Sequence, residues 1–180
     1  MDRPASEWLL PSPWTLRGHC ESDGSSYKVN YFHILDLTTI EDWVHVRHAL
    51  RPGQVFCDPH AAYRLHGRTL SSVSLFRDDI RPEWEDPRNC NGFTHTMRGS
   101  LDAHEADRVW DDLVLELVRG AMPPSVVGVQ LIRKWSRQRL TLKLDVWSTS
   151  DGTVQKTAEI LKALFSWTGL AWTLTERTVR

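Results

Sequence analysis

The succession of elements between residues 100 and 147 restricts the fold of this chain most strongly. Apolar side chains recur at intervals of three and four over 100–119, which predicts one amphipathic helix ended by a glycine and two prolines. The apolar runs 126–135 and 140–147 follow with no helix between them, so they are expected to form an antiparallel β-hairpin. A one-sided helix beside a hairpin predicts an α+β domain with helices on one face of the sheet.

Shorter patterns predict the remaining elements. Thr38 and Glu41 have the spacing of a capping box, which predicts that a helix begins there and runs to residue 50. Three prolines predict an extended N-terminal segment over 1–13, and a proline- and glycine-containing stretch over 51–68 is expected to be a loop. Further strands are predicted over 27–37, 72–80, 93–98 and 170–178, and a third helix over 151–167.

Composition limits the class of protein. The 180 residues fit one domain, and a net charge of −1 excludes a protein that holds nucleic acid by bulk positive charge. Three widely spaced cysteines do not form a disulfide framework, and the first residues lack an apolar signal core, so a cytoplasmic or nuclear protein is expected. Cys57, His60 and His66 share one loop without metal-ligand spacing, so no metal site is predicted.

The alternation over 140–147 separates two faces of the predicted sheet. Aliphatic side chains point toward the helices, whereas Lys143 and Trp147 share the helix-free face. Lys134 and Lys143 are equally far from a turn centred near residues 138–139, so they are predicted to lie across from each other. Like charges in that position favour a bound anion between them, although a solvated basic hairpin explains the same pattern.

A second candidate site lies in the loop between Pro82 and Pro87. Trp84 and Glu85 stand side by side there, and a loop tryptophan next to a carboxylate is suited to contact a ligand. The alternative interpretation is a Trp84 ring that folds back onto the core and leaves Glu85 in water.

The segment SLFRDDIRPEWED (74–86) resembles the loop motif of the translation initiation factor 4E family, which is close to SLFKxGIxPMWED. The surrounding order agrees, with IEDW at 40–43, DRVWDDLV at 107–114 and a hairpin that ends in a tryptophan. The resemblance covers about residues 8–175. It implies a curved antiparallel sheet backed by three long helices on the convex face, with a site for the 7-methylguanosine cap of messenger RNA on the concave side.

The family binds the cap base between two aromatic rings and its phosphates with basic side chains. One ring falls on Tyr27, where the family usually has tryptophan, so somewhat weaker stacking is expected. The resemblance implies base stacking by Tyr27 and Trp84, guanine recognition by Glu85, a methyl contact by Trp147, and phosphate binding by Lys143 with Lys134 or its rival Arg133.

The family also binds protein partners on the helical, or dorsal, face. The resemblance implies that the partner is a factor 4G-like scaffold or a 4E-binding protein. Val44 stands where the family has its partner-binding tryptophan, and 51–68 is an insertion that could rebuild the pocket rim, form a partner site or be a tolerated loop. The dorsal residues expected to contact the partner are Ile40, Trp43, Val44, Asp111 and Leu115.

Three functions from different classes follow. The first is a single cap-binding domain over 1–180 that acts in translation initiation or its regulation as a monomer, without catalysis, cofactor or membrane. The second is a 4E-like interaction module with weak or lost cap binding that represses or regulates translation. The third is an enzyme acting on nucleotides, for which His33, His95 and Asp145 form no recognisable constellation.

Overall fold

The computed structural model describes residues 8–20, 31–57, 64–65, 68–136, 139–149 and 152–177. Its strands are β1 (Leu9–Cys20), β2 (Tyr31–Thr39), β3 (Arg64–Leu65), β4 (Arg68–Arg77), β5 (Gly92–Gly99), β6 (Val126–Ser136), β7 (Arg139–Thr149) and β8 (Ala171–Arg177). Its helices are α1 (Ile40–Ala49), α2 (Pro52–Cys57), α3 (Ala103–Val118) and α4 (Val154–Leu164).

The strands form one open, curved antiparallel sheet in the order β2-β1-β4-β6-β7-β5-β8, with the short β3 paired to β4. Helices α1, α3 and α4 have 10, 16 and 11 residues, and the α+β fold with three main helices is confirmed. No helix in the described ranges has the length and apolar character needed to cross a membrane. The helices cover one face of the sheet, so the expected site would lie on the opposite, concave face.

The core lies between the sheet and the helices. The apolar stripe predicted over 100–119 is confirmed, because α3 buries Val109, Trp110 and Leu113 with at most 1% of each exposed. An Asp102–Glu105 capping box fixes where this helix begins. Burial of a tryptophan on this scale stabilises the fold by several kcal/mol, since truncation of such residues costs about 3–5 kcal/mol.

The start of α1 differs from the prediction. Thr39, rather than Thr38, is the N-cap residue, and it exchanges hydrogen bonds with Asp42 at the third helical position. The Asp42 carboxylate also accepts a hydrogen bond from the Thr38 amide at 2.8 Å, so one acidic residue serves two backbone donors. The predicted Thr38–Glu41 capping box is thus wrong by one position.

The described part of the segment 1–13, predicted as extended, begins a strand that the sequence did not predict. Strand β1 begins inside the segment 1–13, and its prolines fall where the pairing with β2 shifts register between Leu9 and Trp14. The predicted strand 27–37 corresponds to β2 from Tyr31 onward. Residues 27–30 of the prediction lie outside the described part of the chain.

The stretch 51–68, predicted as a loop, contains α2 and β3. Helix α2 is seated on α3, because the Gly53 amide donates to the buried Asp107 carboxylate at 2.6 Å. A Cβ at Gly53 would collide with the Ala103 carbonyl oxygen, so only glycine permits this approach. Burial raises the pKa of Asp107, and the Gly53 amide and Arg51 oppose that rise.

The hairpin confirms the predicted faces and corrects the predicted register. Leu142, Leu144 and Val146 are buried in the helix-side core, and Trp147 lies on the concave face. Lys134 pairs with Thr141, and Lys143 pairs with Ile132, so the two lysines are diagonal neighbours. The turn is centred one residue earlier than expected, and a shift of one residue at the centre moves every cross-strand partner by two.

Candidate nucleic-acid interface

The loop between β4 and β5, residues 78–91, is organised by the buried side chain of Asp86. Its carboxylate accepts hydrogen bonds from the backbone amides of Arg81 and Arg88 at 3.1 and 3.0 Å. The Arg88 guanidinium binds both carboxylate oxygens at 3.1 Å and reaches Asp79 at 2.6 Å. Burial disfavours the charged form of Asp86, but the hydrogen bonds from Arg88 and Arg81 outweigh it and hold its pKa below the ordinary value.

The same loop is tied to the concave face of the sheet. The Arg17 guanidinium on β1 donates to the Ile80 carbonyl at 2.9 Å, and the Tyr31 hydroxyl on β2 donates to the Pro82 carbonyl at 3.3 Å. The buried Asn89 amide bonds two more carbonyls within the loop at 2.6 and 2.9 Å. Side chains of the sheet and of the loop itself thus donate hydrogen bonds to the loop carbonyls. The backbone can therefore present its side chains in a fixed position.

Trp84 and Glu85 are the side chains that this loop presents. Trp84 is 58% exposed and Glu85 is exposed, while their neighbours Glu83 and Asp86 are buried. The interpretation in which the Trp84 ring folds back onto the core is therefore wrong. A large aromatic face and a carboxylate stand next to each other at the concave side, which is the arrangement that a cationic heterocycle would require.

Trp147 is placed differently, because its ring is almost fully covered. It is 8% exposed and packs with Ile80, Val127 and Phe76, whose ring meets it edge-on at 5.5 Å between centroids. The Arg177 guanidinium lies over the Trp147 ring, 4.3 Å from its centroid. Burial lowers the pKa of Arg177 to about 10. The sequence did not indicate Arg177, because only the register of β5 with β8 brings it to this place.

Lys143 lies on the concave face, where it forms an ion pair with Asp145. Its ammonium group is 2.5 Å from the Asp145 carboxylate, whose other oxygen accepts a hydrogen bond from Thr96 at 2.6 Å. The Asp145 side chain is only 5% exposed, against 23% for Lys143. A bound phosphate would therefore have to share the charge of Lys143 with Asp145.

The two rivals for the second phosphate contact lie on opposite faces of β6. Lys134 is exposed and lies on the concave face, the same face as Gln130 four residues earlier in the strand. Arg133 pairs with Leu142, which belongs to the helix-side core, so its expected phosphate role is contradicted by its face. The exposed Arg98 pairs directly with Lys143 and adds a concave cation that the sequence analysis missed, because the β5–β7 register was unknown.

The expected second stacking ring, Tyr27, lies outside the described residues. Near the start of β2 the described aromatic residue is Tyr31, and the centroid of its ring is 4.5 Å from that of the His19 ring on β1. Gln130 donates to the Tyr31 hydroxyl at 3.2 Å and to Ser72 at 3.1 Å, so the floor of the concave face is a hydrogen-bonded polar layer. A polar floor under an exposed aromatic suits a ligand that carries both a ring and hydroxyl groups.

The dorsal face carries fewer of the expected partner residues than the sequence implied. Trp43 is 4% exposed and belongs to the core, so it does not form part of a docking surface. Val44 on α1 and Leu115 on α3 are each 44% exposed and provide the apolar part of this face. The surface is completed by half-buried Ile40 and by Asp111, which is 2.9 Å from the Arg47 guanidinium.

The loop cysteine considered as a metal ligand is packed instead. The Cys57 thiol donates to the Leu101 carbonyl at 3.6 Å, and burial raises its pKa to about 11. His60 and His66 lie outside the described residues. Within the described ranges, no group of three or more His, Cys, Asp or Glu side chains is positioned to hold a metal ion.

Known proteins resemble the chain in sequence. A sequence model described as "Eukaryotic initiation factor 4E" matches residues 9–173. The "Eukaryotic translation initiation factor NCBP" of Triticum aestivum is 30% identical over 72% of this chain and 51% of its own length. The protein of the same name in Oryza sativa is 30% identical over 72% of this chain and 52% of its own length. The chain therefore spans about half the length of these curated relatives.

Solved structures share the fold at lower identity. A schistosome eIF4E complexed with m7GpppA and 4E-BP has a TM-score of 0.73 and 20% identity, over 94% of this chain and 88% of that chain. A complex of Caenorhabditis elegans eIF4E-3 with the 4E-binding protein Mextli and a cap analog has a TM-score of 0.69 and 17% identity, over 93% and 92%. These structures share the fold, and the sequence match over residues 9–173 shows that the chain belongs to the eukaryotic initiation factor 4E family.

Proposed function

We propose that this chain binds the 7-methylguanosine cap of messenger RNA on its concave face and acts in translation initiation or its regulation. The observation that carries the proposal is the exposed Trp84–Glu85 pair on a loop whose backbone is held by Asp86, Asn89 and Arg17. The solved schistosome and nematode structures named above are complexes with cap analogues, which supports the same ligand for this chain.

The chemistry of the pair fits a methylated guanine. Methylation at N7 gives the base a positive charge, and a desolvated cation on an indole face gains about 2 kcal/mol or more. Stacking on one aromatic ring adds about 1–3 kcal/mol. The Glu85 carboxylate can accept two hydrogen bonds from the N1–H and the amino group of guanine, and an ionised acceptor makes such bonds short and strong. Tyr27 is proposed as the ring on the other side of the base.

The phosphates of the cap would lie along the basic row on the same face. Lys143, Lys134 and Arg98 occupy neighbouring concave positions of β7, β6 and β5. Lys134 and Arg98 are exposed to solvent and Lys143 is paired with Asp145. The contribution of these cations to the affinity for the cap should therefore fall as salt is added. Trp147 is proposed to line the inner end of the base pocket, beneath Arg177.

The test is a calorimetric titration with 7-methyl-GTP and, separately, with GTP. Calorimetry is preferred to tryptophan fluorescence because nine tryptophans would contribute to the signal. We expect saturable binding of 7-methyl-GTP by the wild-type protein, and binding weakened about twentyfold in Trp84→Ala, because stacking on one ring is worth about 1–3 kcal/mol. A wild-type protein that binds neither nucleotide would contradict the proposal.

A protein partner is proposed for the dorsal face, because exposed Val44 and Leu115 form an apolar surface across α1 and α3. The partner would be a factor 4G-like scaffold or a 4E-binding protein, the class named in the complexes above. Leu115→Asp should abolish binding of a 4E-binding-protein peptide and leave 7-methyl-GTP binding unchanged. Peptide binding that survives this substitution would place the partner elsewhere.

One observation favours the second function, a 4E-like regulatory module with weak cap binding. Lys143 is ion-paired with Asp145, and Trp147 is covered by Arg177, so part of the expected cap surface is already engaged within the protein. Peptide binding together with undetectable 7-methyl-GTP binding would support this function over the first. Under both functions the chain is proposed to be a monomeric binding protein rather than an enzyme, working in the cytoplasm or nucleus.

A further inference from the structure

The position of Arg177 over Trp147 is built into the sheet. Arg177 lies opposite Gly92 in the β5–β8 pairing, and Gly92 in turn lies opposite Thr149 on β7. A Cβ at Gly92 would stand 2.8 Å from Nη2 of Arg177 and closer still to the Ser148 carbonyl. The missing side chain therefore leaves a channel across β5 through which the Arg177 side chain reaches the Trp147 ring.

The guanidinium is held at one nitrogen and unsatisfied at the others. Nη2 donates to the carbonyl oxygens of Phe93 and Ser148 at 3.2 and 2.8 Å. Nε and Nη1 are buried and have no hydrogen-bond partner among the described residues. Within the same residues, no carboxylate lies within ion-pair distance of Arg177, although Asp145 is near enough to favour its charge. Arg177 is therefore a partly buried cation with two unpaired nitrogens, placed on the ring that is expected to contact the methyl group.

We propose that Arg177 is a specificity-determining residue that lowers the preference of this chain for N7-methylated over unmethylated guanine. The inference rests on the proposed function, because it assumes that a guanine base lies at the Trp84–Glu85 pair. The site of the expected methyl contact, Trp147, is covered on one ring face by the guanidinium and also packs against the nearly perpendicular ring of Phe76.

Charge gives the proposal its direction. Both N7-methylguanine and the guanidinium carry a positive charge, so bringing the methylated base toward Trp147 meets a repulsion that is weakly screened in a partly buried site. An unmethylated guanine is neutral, and its N7 and O6 atoms accept hydrogen bonds, for which arginine is the commonest donor in protein–DNA contacts. The positive charge of Arg177 therefore favours the base that lacks the methyl group, whereas Trp84 and Glu85 favour the base that carries it.

The experiment measures the affinities of 7-methyl-GTP and GTP by calorimetry for the wild-type protein and three variants. Arg177→Gln removes the charge and keeps a planar polar group, and Arg177→Lys keeps the charge. Arg108→Gln is the matched control, because Arg108 stacks on Trp167 at the same 4.3 Å on the helical side of the molecule. Thermal unfolding of each variant confirms that it is folded before the titration.

We expect the ratio of GTP to 7-methyl-GTP dissociation constants to rise at least about fivefold in Arg177→Gln. The ratio should stay near the wild-type value in Arg177→Lys and Arg108→Gln. If nucleotides bind and the ratio is unchanged in Arg177→Gln, the inference is overturned while cap binding stands. Equal rises in the Gln and Lys variants would also overturn it, because packing rather than charge would be the cause. If neither nucleotide binds to any of the proteins, both the proposed function and this inference fail.

Discussion

The two halves of the concave site are built in opposite ways. In the loop half, Trp84 and Glu85 project into solvent while the backbone behind them is fixed by buried polar side chains. In the strand half, Trp147 and Lys143 stand on rigid strands, but each side chain is engaged by a neighbour, Arg177 or Asp145. The loop half offers exposed groups on a fixed frame, and the strand half offers a fixed frame whose groups contact Arg177 and Asp145.

This difference shows where a ligand gains and where it must compete. A base that stacks on Trp84 displaces water from an exposed ring, which is favourable. A phosphate at Lys143 replaces part of an existing ion pair, so its net gain is smaller. The loop half should therefore dominate affinity, and changes in the strand half should adjust selectivity more than affinity.

The largest effect is expected for Glu85→Ala. Losing two hydrogen bonds to an ionised acceptor should weaken 7-methyl-GTP binding about a hundredfold. The measurement is calorimetric titration, with Glu159→Ala on the exposed face of α4 as a control of equal charge. Retention of wild-type affinity in Glu85→Ala would mean that the loop half does not read the guanine edge.

Trp84→Leu should weaken the same binding about twentyfold, since stacking on one ring is worth about 1–3 kcal/mol. Thermal stability should be nearly unchanged, because the ring is 58% exposed. Trp167→Leu is the control, because Trp167 is also exposed but lies in the turn after α4, where Arg108 of α3 stacks on it. A large loss of stability in Trp84→Leu, with affinity kept, would show a structural role instead.

Asp86→Asn tests whether the loop frame matters. Removal of a buried charge that binds Arg88 and two amides should lower the free energy of unfolding by roughly 1–2 kcal/mol and weaken 7-methyl-GTP binding about fivefold. Chemical denaturation and titration at neutral pH measure the two effects. Wild-type affinity in a destabilised variant would show that the loop positions its side chains without Asp86.

The pH dependence of the same variant is a separate check. The pKa of Asp86 is lowered in the folded state, so its contribution to stability is complete above its unfolded pKa of about 4 and is lost as the pH falls through the lower folded pKa. The wild-type free energy of unfolding should therefore fall more steeply than that of Asp86→Asn between about pH 4 and about pH 2. Parallel curves would contradict the assigned hydrogen bonds.

The smallest effect is expected in the strand half, for Asp145→Asn. Asparagine can still accept the Thr96 hydrogen bond, but it no longer neutralises Lys143. The contribution of the triphosphate is measured as the ratio of the dissociation constants of 7-methylguanosine and 7-methyl-GTP. This ratio should grow about threefold in the variant and become more sensitive to salt. Asp112→Asn, which alters a surface pair on α3, should leave this ratio unchanged.

Periodicity was enough to predict the layers of the fold but not its register. The stripe of α3 and the alternation of β7 each depend on which side chains meet the core, and both are confirmed. The pairing of Lys134 with Thr141 depends on the turn centre, which alternation does not specify. Strand β1 was missed because Pro11 and Pro13 interrupt its pattern and are tolerated only at an irregularity in the pairing.

The candidate site was predictable where it depends on a contiguous motif. Trp84 and Glu85 are adjacent in the chain, and their exposure follows from a loop rich in proline and acidic residues. Arg98 and Arg177 reach the site through two strand pairings, β5–β7 and β5–β8, that the sequence alone leaves open. Long-range pairing therefore limits prediction of the strand half, and local sequence suffices for the loop half.

The edge position of β8 has a consequence for the time scale on which the site changes. Within the described sheet β8 pairs only with β5, and most of its side chains are exposed, so its local opening needs less free energy than opening of the inner strands. Each opening withdraws the terminal arginine of this strand from the indole beneath it while the loop half stays intact. The protein would therefore alternate between a covered and an uncovered ring without unfolding, and amide exchange along β8 would report how often it does so.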